Sequence, residues 1–171
     1  MLKSETPDLT VALRKFPTFP CVLVTTQNNI ITIGMVHIFS FNPPLVGIGV
    51  APRRFSFNLL KQSKEYVINV PPKNLLAQVS FCGEKSGRDN DKFEKTGLTK
   101  QPSLKLKTPS ILECPLNIEC KIIKEVETGD HVWFIGEVVA AQIDNCYNPE
   151  EMILYWGGFY RVPGIVIGKR G

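Results

Sequence analysis

The feature that most constrains the fold is a pair of apolar, strand-like segments joined through two consecutive prolines. Ile30–Ser40 and Leu45–Val50 are rich in β-branched residues and glycine, and Asn42-Pro43-Pro44 lies between them. Proline has no backbone N–H, so this link cannot continue the interior of a sheet. The pattern therefore predicts two separate strands with a tight connection.

The second of these strands leads directly into a turn that carries two cations and a hydroxyl group. The turn reads Ala51-Pro52-Arg53-Arg54-Phe55-Ser56, and a short helical run over Phe57–Gln62 follows it. Arginine forks, hydroxyls and the N–H groups of a helix N-terminus are the groups from which phosphate sites are built. We therefore expect Arg53, Arg54 and Ser56 to bind an anion. The alternative is a solvated pair of surface arginines.

The rest of the chain also reads mainly as strands with short links. Further strands are predicted over Cys21–Gln27, Tyr66–Val70, Cys114–Glu127 and His131–Ile143, with a β-bulge at Ile122-Ile123, and helices over Lys3–Arg14 and Lys73–Cys82. Residues 84–93 read as a solvated loop and residues 97–113 as irregular. This pattern predicts one mainly β domain over residues 1–171, an antiparallel barrel with residues 1–20 as an N-terminal extension.

Glycines and aromatic residues leave two interpretations open. Gly34 interrupts a predicted strand, and Gly47 and Gly49 share one face of the next. Such glycines mark either a bulge or barrel corner, or a place where a flat ligand approaches the sheet. Residues 154–161 hold four aromatic side chains beside two glycines, which suits either a cover over the barrel end or a wall for a flat ligand.

Charge and cysteine content narrow the possible functions. The net charge of +4 is spread among 16 acidic residues, which argues against the dense basic face of a nucleic-acid-binding protein. The five cysteines form no C-x-x-C pair, and with two histidines no zinc spacing appears, so no metal is expected. No apolar run approaches the ~20 residues that span a bilayer, and the N-terminus lacks a secretory pattern. We therefore expect a cytoplasmic protein with reduced thiols and no membrane partner.

Five short segments, spread over roughly Pro20 to Gly168, carry a resemblance to a known family. In order they are FSFNPPLV (39–46), APRRFSFN (51–58), EYVINV (65–70), SGRDNDKF (86–93) and GDHVWFIGEV (129–138). Together they resemble the flavin reductase-like, FMN-binding split-barrel family, which includes the flavoredoxins. The resemblance implies a mainly β fold, a split antiparallel barrel of the Greek-key type.

The resemblance also implies a homodimer with FMN in a groove at the subunit interface. The isoalloxazine ring would be lined by Thr32, Gly34, Met35 and Val36, with Ser40 or Phe41 covering its edge. The phosphate would meet Arg53, Arg54 and Ser56, while Ser86, Arg88 and Lys92 would approach the cofactor or its partner from the polar loop. His131 would lie on the nicotinamide or substrate side as the catalytic residue.

Three functions are compatible with these residues. The first is a flavin reductase that takes electrons from NADH or NADPH, and the second is a flavoredoxin-like electron carrier that exchanges electrons with a redox protein. The third is a non-enzymatic barrel that uses the basic turn to bind another phosphorylated ligand or nucleic acid. A flavin carries its own hydride chemistry and needs from the protein only binding, orientation and local charge, which explains why the sequence shows no catalytic triad or carboxylate pair.

Overall fold

We describe the fold from a computed structural model, which describes residues 8–16 and 19–169. Within these residues the chain forms four α-helices: α1 (Leu9–Lys15), α2 (Phe55–Ser63), α3 (Leu76–Glu84) and α4 (Lys92–Thr96). The strands are β1 (Phe19–Pro20), β2 (Val22–Thr26), β3 (Asn29–Ile33), β4 (Val36–Phe41), β5 (Pro44–Val50), β6 (Glu65–Val70), β7 (Lys100–Gln101), β8 (Ser110–Ile111), β9 (Leu116–Thr128), β10 (His131–Ile143), β11 (Leu154–Trp156) and β12 (Phe159–Arg161).

Seven strands form one antiparallel sheet in the order β3-β2-β6-β9-β10-β5-β4. The two edge strands, β3 and β4, follow one another in the chain and are separated only by Gly34 and Met35. The sheet must therefore curve until its edges approach, which produces a barrel. The mainly β, antiparallel barrel predicted from the sequence is confirmed.

Apolar side chains fill the barrel interior, and a second cluster packs against its outside. Inside, Ile48 and Phe134 are fully buried, and the hydroxyl of buried Tyr66 donates a hydrogen bond to the Val46 carbonyl at 2.8 Å. Outside, α3 and α4 cover β3 through residues that include Ile30, Val79 and Phe93. Burial along β2 and most of β5 explains why neither strand carries a charged side chain.

The predicted single strand over Ile30–Ser40 is wrong, because the chain turns a corner in its middle. Strand β3 pairs with β2, whereas β4 pairs with β5 on the opposite side of the sheet. At the corner the Gly49 N–H donates to the Met35 carbonyl at 2.7 Å. The glycine signal at Gly34 thus marks the end of a strand, where no other atom approaches the position of its missing side chain.

The other strand glycines make room for the protein's own side chains. The rings of Phe39 and Trp133 fill the space beside Gly47, and Met35 covers Gly49. The predicted bulge at Ile122-Ile123 is confirmed, because the β9–β10 register moves from Lys124 opposite Ile135 to Ile122 opposite Gly136.

Residues 97–113, predicted to be irregular, contain only the two-residue strands β7 and β8. A fully buried carboxylate holds this segment in place. Glu119 on β9 accepts backbone hydrogen bonds from Leu104 at 2.6 Å, Lys105 at 2.8 Å and Leu106 at 3.2 Å. Three N–H donors compensate a buried carboxylate that would otherwise be costly.

The helices differ from the predictions mainly at their ends. Helix α1 is capped by Asp8, and of the predicted helix over Lys3–Arg14 the first five residues lie outside the described part of the chain. The predicted helix over Lys73–Cys82 divides into a 3-10 turn and α3. None of the helices in residues 8–16 and 19–169 is long and apolar enough to cross a membrane.

Candidate functional site

The turn after β5 leaves the beginning of helix α2 open. Arg54 is the N-cap residue in an extended conformation, and its side chain makes no capping hydrogen bond. The first N–H groups of an α-helix have no intrahelical partner and are available to an anion. In α2 the Phe57 N–H donates to the Arg54 carbonyl at 3.0 Å, so the available groups are those of Phe55 and Ser56. The Ser56 hydroxyl is buried and accepts a hydrogen bond from the Asn29 amide at 2.7 Å, which ties this turn to the β2–β3 hairpin.

A small cleft of about 120 Å³ lies at this helix end, between the turn and the loop that follows α3. It brings together five of the predicted cofactor residues, namely Arg53, Arg54, Ser56, Ser86 and Lys92. Its other lining residues are Ile31, Phe55, Cys82, Gly83, Glu84, Lys85 and Gly87. With four basic side chains and one acidic one, the cleft has the charge that attracts an anion.

Lys92 is the most buried of these cations, with 3% of its surface exposed. Its ammonium group donates to the carbonyl oxygens of Ile30 and Cys82, each at 2.7 Å, and therefore keeps one donor for a ligand. Burial lowers the pKa of Lys92, and the nearby Arg54 guanidinium lowers it further. An anion in the cleft would offset both effects. The prediction that residues 84–93 form only a solvated loop is wrong here, because Asp91 caps helix α4 and turns Lys92 inward.

The two arginines of the turn are not equivalent. One Nη atom of Arg54 donates to the Gly83 carbonyl at 3.3 Å, next to the Cys82 carbonyl that Lys92 occupies. These carbonyls belong to the last turn of α3, where cations are favoured. Arg53 lines the same cleft and makes no such hydrogen bond with another described residue. Both arginines are exposed, and Arg54 is the one whose side chain is hydrogen-bonded to the cleft wall.

His131 lies at the start of β10, outside the cleft lining. Its Nδ1 atom is 2.7 Å from the Asp130 carboxylate, and its side chain is 24% exposed. Hydrogen bonding and charge from His131, followed by the charge of Arg53, lower the pKa of Asp130. The pair occupies Nδ1 and leaves Nε2 as the ring nitrogen that can meet a ligand. His131 and Asp130 thus form a hydrogen-bonded pair at the β9–β10 turn.

Met35 and Val36 line a second, apolar cavity of about 800 Å³ along strand β4. His37, Phe39 and Trp133 contribute to the same cavity. The Thr32 hydroxyl donates to the Val79 carbonyl at 2.6 Å, so it anchors helix α3 to β3. Gly34 lies open between Thr32 and this cavity.

The remaining predicted residues are not gathered at the cleft. Ser40 and Phe41 lie at the far end of β4, and Phe41 is 84% exposed. Arg88 lines a neighbouring groove, where its guanidinium carbon is 6.0 Å from the centroid of the Phe55 ring. Their contact with a cofactor stays a prediction.

The sequence reasoning missed the two further charged residues of the cleft and the residue that orients Ser56. Lys85 and Glu84 follow α3 directly, and only their place beside Ser86-Gly87 could have drawn attention to them. Asn29 was assigned to a turn, yet it orients Ser56 and packs against Gly87, where any side chain would collide with it.

Comparison with known proteins identifies the class of barrel. Residues 13–163 match the model of the flavin reductase like domain. The chain belongs to this family. The family resemblance inferred from the sequence is therefore confirmed. Members of such a family are flavoproteins of the oxidoreductase class.

Individual members of the flavin reductase like family show the same relationship. An uncharacterised protein of Archaeoglobus fulgidus is 38% identical over 138 residues, which are 81% of this chain and 78% of that protein. A ferric-chelate reductase (NAD(P)H) of the same organism is 25% identical over 126 residues, 71% of this chain and 73% of the other. The structure of flavoredoxin from Desulfovibrio vulgaris (Miyazaki F) superposes with a TM-score of 0.86 at 22% identity and covers 98% of this chain and 97% of the other.

Proposed function

We propose that the protein is an FMN-binding oxidoreductase that takes electrons from NADH or NADPH and passes them to a flavin. The observation that carries this proposal is the cationic cleft at the N-terminus of α2. It combines the charges of Arg54 and Lys92 with free helix N–H groups, a donor set suited to the terminal phosphate of FMN. Family membership supplies the flavin as the ligand that such a phosphate site would serve.

The surroundings of the cleft also suit the remainder of FMN. The ring would extend toward Gly34, Met35 and Val36, where the backbone is open and the neighbouring cavity is apolar. Flat apolar rings favour such surroundings. When bound, the flavin supplies the hydride chemistry, and the residues of this chain hold its phosphate, exclude water from the ring and set the local charge.

We further propose that the protein works as a homodimer in the cytoplasm. Strand β4 exposes Ile38, Phe39 and Phe41, and exposed apolar side chains gathered in one place mark interaction sites. All five cysteines are free thiols, in keeping with a reducing compartment. A second copy against β4 would also shield the cavity that Met35 lines.

His131 is the residue we assign to the nicotinamide side. Its Nδ1 atom is held by Asp130, so a fixed Nε2 atom can hydrogen bond to the incoming dinucleotide. The nearby Arg53 provides a cation for the dinucleotide's phosphates. The NAD(P)H dependence of the ferric-chelate reductase relative supports this choice of donor.

The visible absorbance spectrum tests this function most directly. The purified protein is incubated with FMN, desalted and then mixed with NADH or NADPH without oxygen. We expect the flavin bands to remain after desalting and to bleach with one of the two nucleotides. Flavin that is neither retained nor reduced when present in excess would refute the proposal.

A flavoredoxin-like electron carrier is the second candidate function. The high structural similarity to flavoredoxin favours it, although at 22% identity that similarity concerns the fold alone. In the same experiment a carrier would retain flavin, would not bleach with either nucleotide, and would bleach with dithionite. The two functions therefore give different spectra from one sample.

A further inference from the structure

The segment that follows β12 is apolar and lacks hydrogen bonds to the rest of the described chain. Residues 162–169 belong to no helix or strand and make no hydrogen bond with any other described residue. Ile165, Val166 and Ile167 are 89%, 79% and 95% exposed. Three consecutive β-branched residues with this exposure form a strand-like segment that lacks a sheet.

Strand β4 is an edge of the seven-stranded sheet, so one of its two sides is free to pair with a further strand. It pairs with β5 on one side, and no other described strand pairs with it. Ile38 and Phe39 are each about half exposed on this edge, and Phe41 is almost fully exposed. Unprotected, apolar edges of this kind accept an additional strand from another chain.

The two surfaces begin close to each other. Pro163, at the root of the apolar segment, lines the same cavity as Ile38 and Phe39. Beyond Pro163 the high exposure of residues 165–167 shows that their side chains do not pack against the described part of their own barrel. A segment that starts beside β4 and leaves its own chain is well placed to reach a second copy.

We propose that residues 164–168 of one copy pair as an added strand with the free edge of β4 in a second copy. The proposal rests on the homodimer of the proposed function and specifies how the second copy is held. In a two-fold dimer each copy supplies one apolar segment and one free edge. The same pairing then forms twice, and every segment and every edge has one partner. Alternation along a strand places Ile165 and Ile167 on one side and Val166 on the other, which suits an edge that is apolar on both faces.

Disulfide trapping between two chains of different mass tests this pairing. Both chains carry Cys146→Ser, because Cys146 is the exposed native thiol and the other four are buried. A tagged chain carries Phe41→Cys, and an untagged chain carries a cysteine at Ile165, Val166 or Ile167. The chains are mixed under reducing conditions, left to exchange and then oxidised.

We expect a disulfide-linked heterodimer whose yield depends on the tail position, since a disulfide needs Cα atoms about 4.4–6.8 Å apart. As the matched control, Leu104→Cys replaces Phe41→Cys. Leu104 is an exposed apolar residue in the loop between β7 and β8, and its cysteine should give no link. In sedimentation velocity, a chain that ends at Val162 should dimerise at least tenfold more weakly than the full chain.

Several results would overturn the inference. Absence of a link at all three tail positions in a protein that remains dimeric would refute the added strand and leave the homodimer intact. A chain that carries both cysteines and links only within itself would show that the segment folds back on its own β4. A full-length protein that is monomeric at every concentration would refute the homodimer as well, without affecting the flavin spectrum.

Discussion

Replacing the two neighbouring arginines separately should have unequal effects on FMN binding. Arg54 is fixed inside the cleft through a long, weak hydrogen bond of 3.3 Å to Gly83, so most of its donors remain available to a phosphate. Arg53 is equally exposed and lines the same cleft, but of the two arginines Arg54 is the one that donates a hydrogen bond to the cleft wall. The sequence treats these two residues alike, whereas the structure gives them different roles.

The size of each effect follows from the type of contact. A hydrogen bond from a charged group contributes about 1.5–3 kcal/mol, so Arg54→Ala should weaken FMN binding by about 10- to 150-fold. A solvent-exposed ion pair contributes about 0.2–1 kcal/mol, so Arg53→Ala should weaken it by about fivefold at most. Replacing both arginines by alanine should leave the protein folded.

Quenching of flavin fluorescence, measured at one fixed ionic strength, gives the dissociation constants. Riboflavin is the matched ligand, because it has the same ring and lacks the phosphate, and its affinity should be unchanged in both variants. The reasoning would be refuted if Arg53→Ala cost more than Arg54→Ala, or if riboflavin lost as much affinity as FMN. Equal urea midpoints for the three proteins would exclude misfolding as the cause.

Four further changes test other parts of the structure. Glu119→Gln leaves one backbone N–H facing an amide NH₂ group, and should lower the free energy of unfolding by about 1.5–3 kcal/mol in urea denaturation; a loss under about 0.5 kcal/mol would contradict the role of this carboxylate. Lys92→Met leaves two buried carbonyl groups without a donor, so the free energy of unfolding in urea should fall by about 2–5 kcal/mol; an unchanged midpoint would mean that the carbonyls find other partners. His131→Ala should slow flavin reduction by NAD(P)H about tenfold in stopped-flow measurements with FMN affinity unchanged, and equal rates would leave His131 a structural role. Iodoacetamide at pH 7.5 should add one label per native chain, at Cys146, as read by mass spectrometry; a second label would show that a buried thiol is accessible.

The single expected label has a physical cause in the burial of the other thiols. Desolvation raises the pKa of Cys21 and of Cys82 to about 11 and that of Cys120 to about 12, and it also raises the pKa of Cys114. A thiol reacts as its thiolate, which these groups do not form near neutral pH. Cys82 keeps this raised pKa even though the charge of Lys92 in the same cleft acts to lower it.

Local patterns in the sequence were sufficient to predict most of the strands. The alternation in residues 114–143 predicted the β9–β10 hairpin and its bulge, because side chains on a strand must alternate between two environments. The turn at Arg53-Arg54 predicted the beginning of α2 for a similarly local reason. Where the chain changes partners, as at Gly34, the glycine marks an interruption but does not show that the next strand pairs elsewhere, and the prediction joined two strands into one.

The sequence by itself determined the class of this protein, an antiparallel barrel with a basic turn before a helix, since strand period, proline links and family motifs are carried by neighbouring residues. Only the tertiary structure decided which side chains meet. Lys92 reads as a surface charge in a polar loop, yet the packing of α4 against β3 buries it between two carbonyl groups 62 and 10 residues away in the chain. Arg53 and Arg54 are adjacent in sequence, yet Arg54 is the one that donates to the Gly83 carbonyl at the end of α3. Contacts between distant segments depend on how the whole chain folds, so they do not appear as a pattern among neighbouring residues.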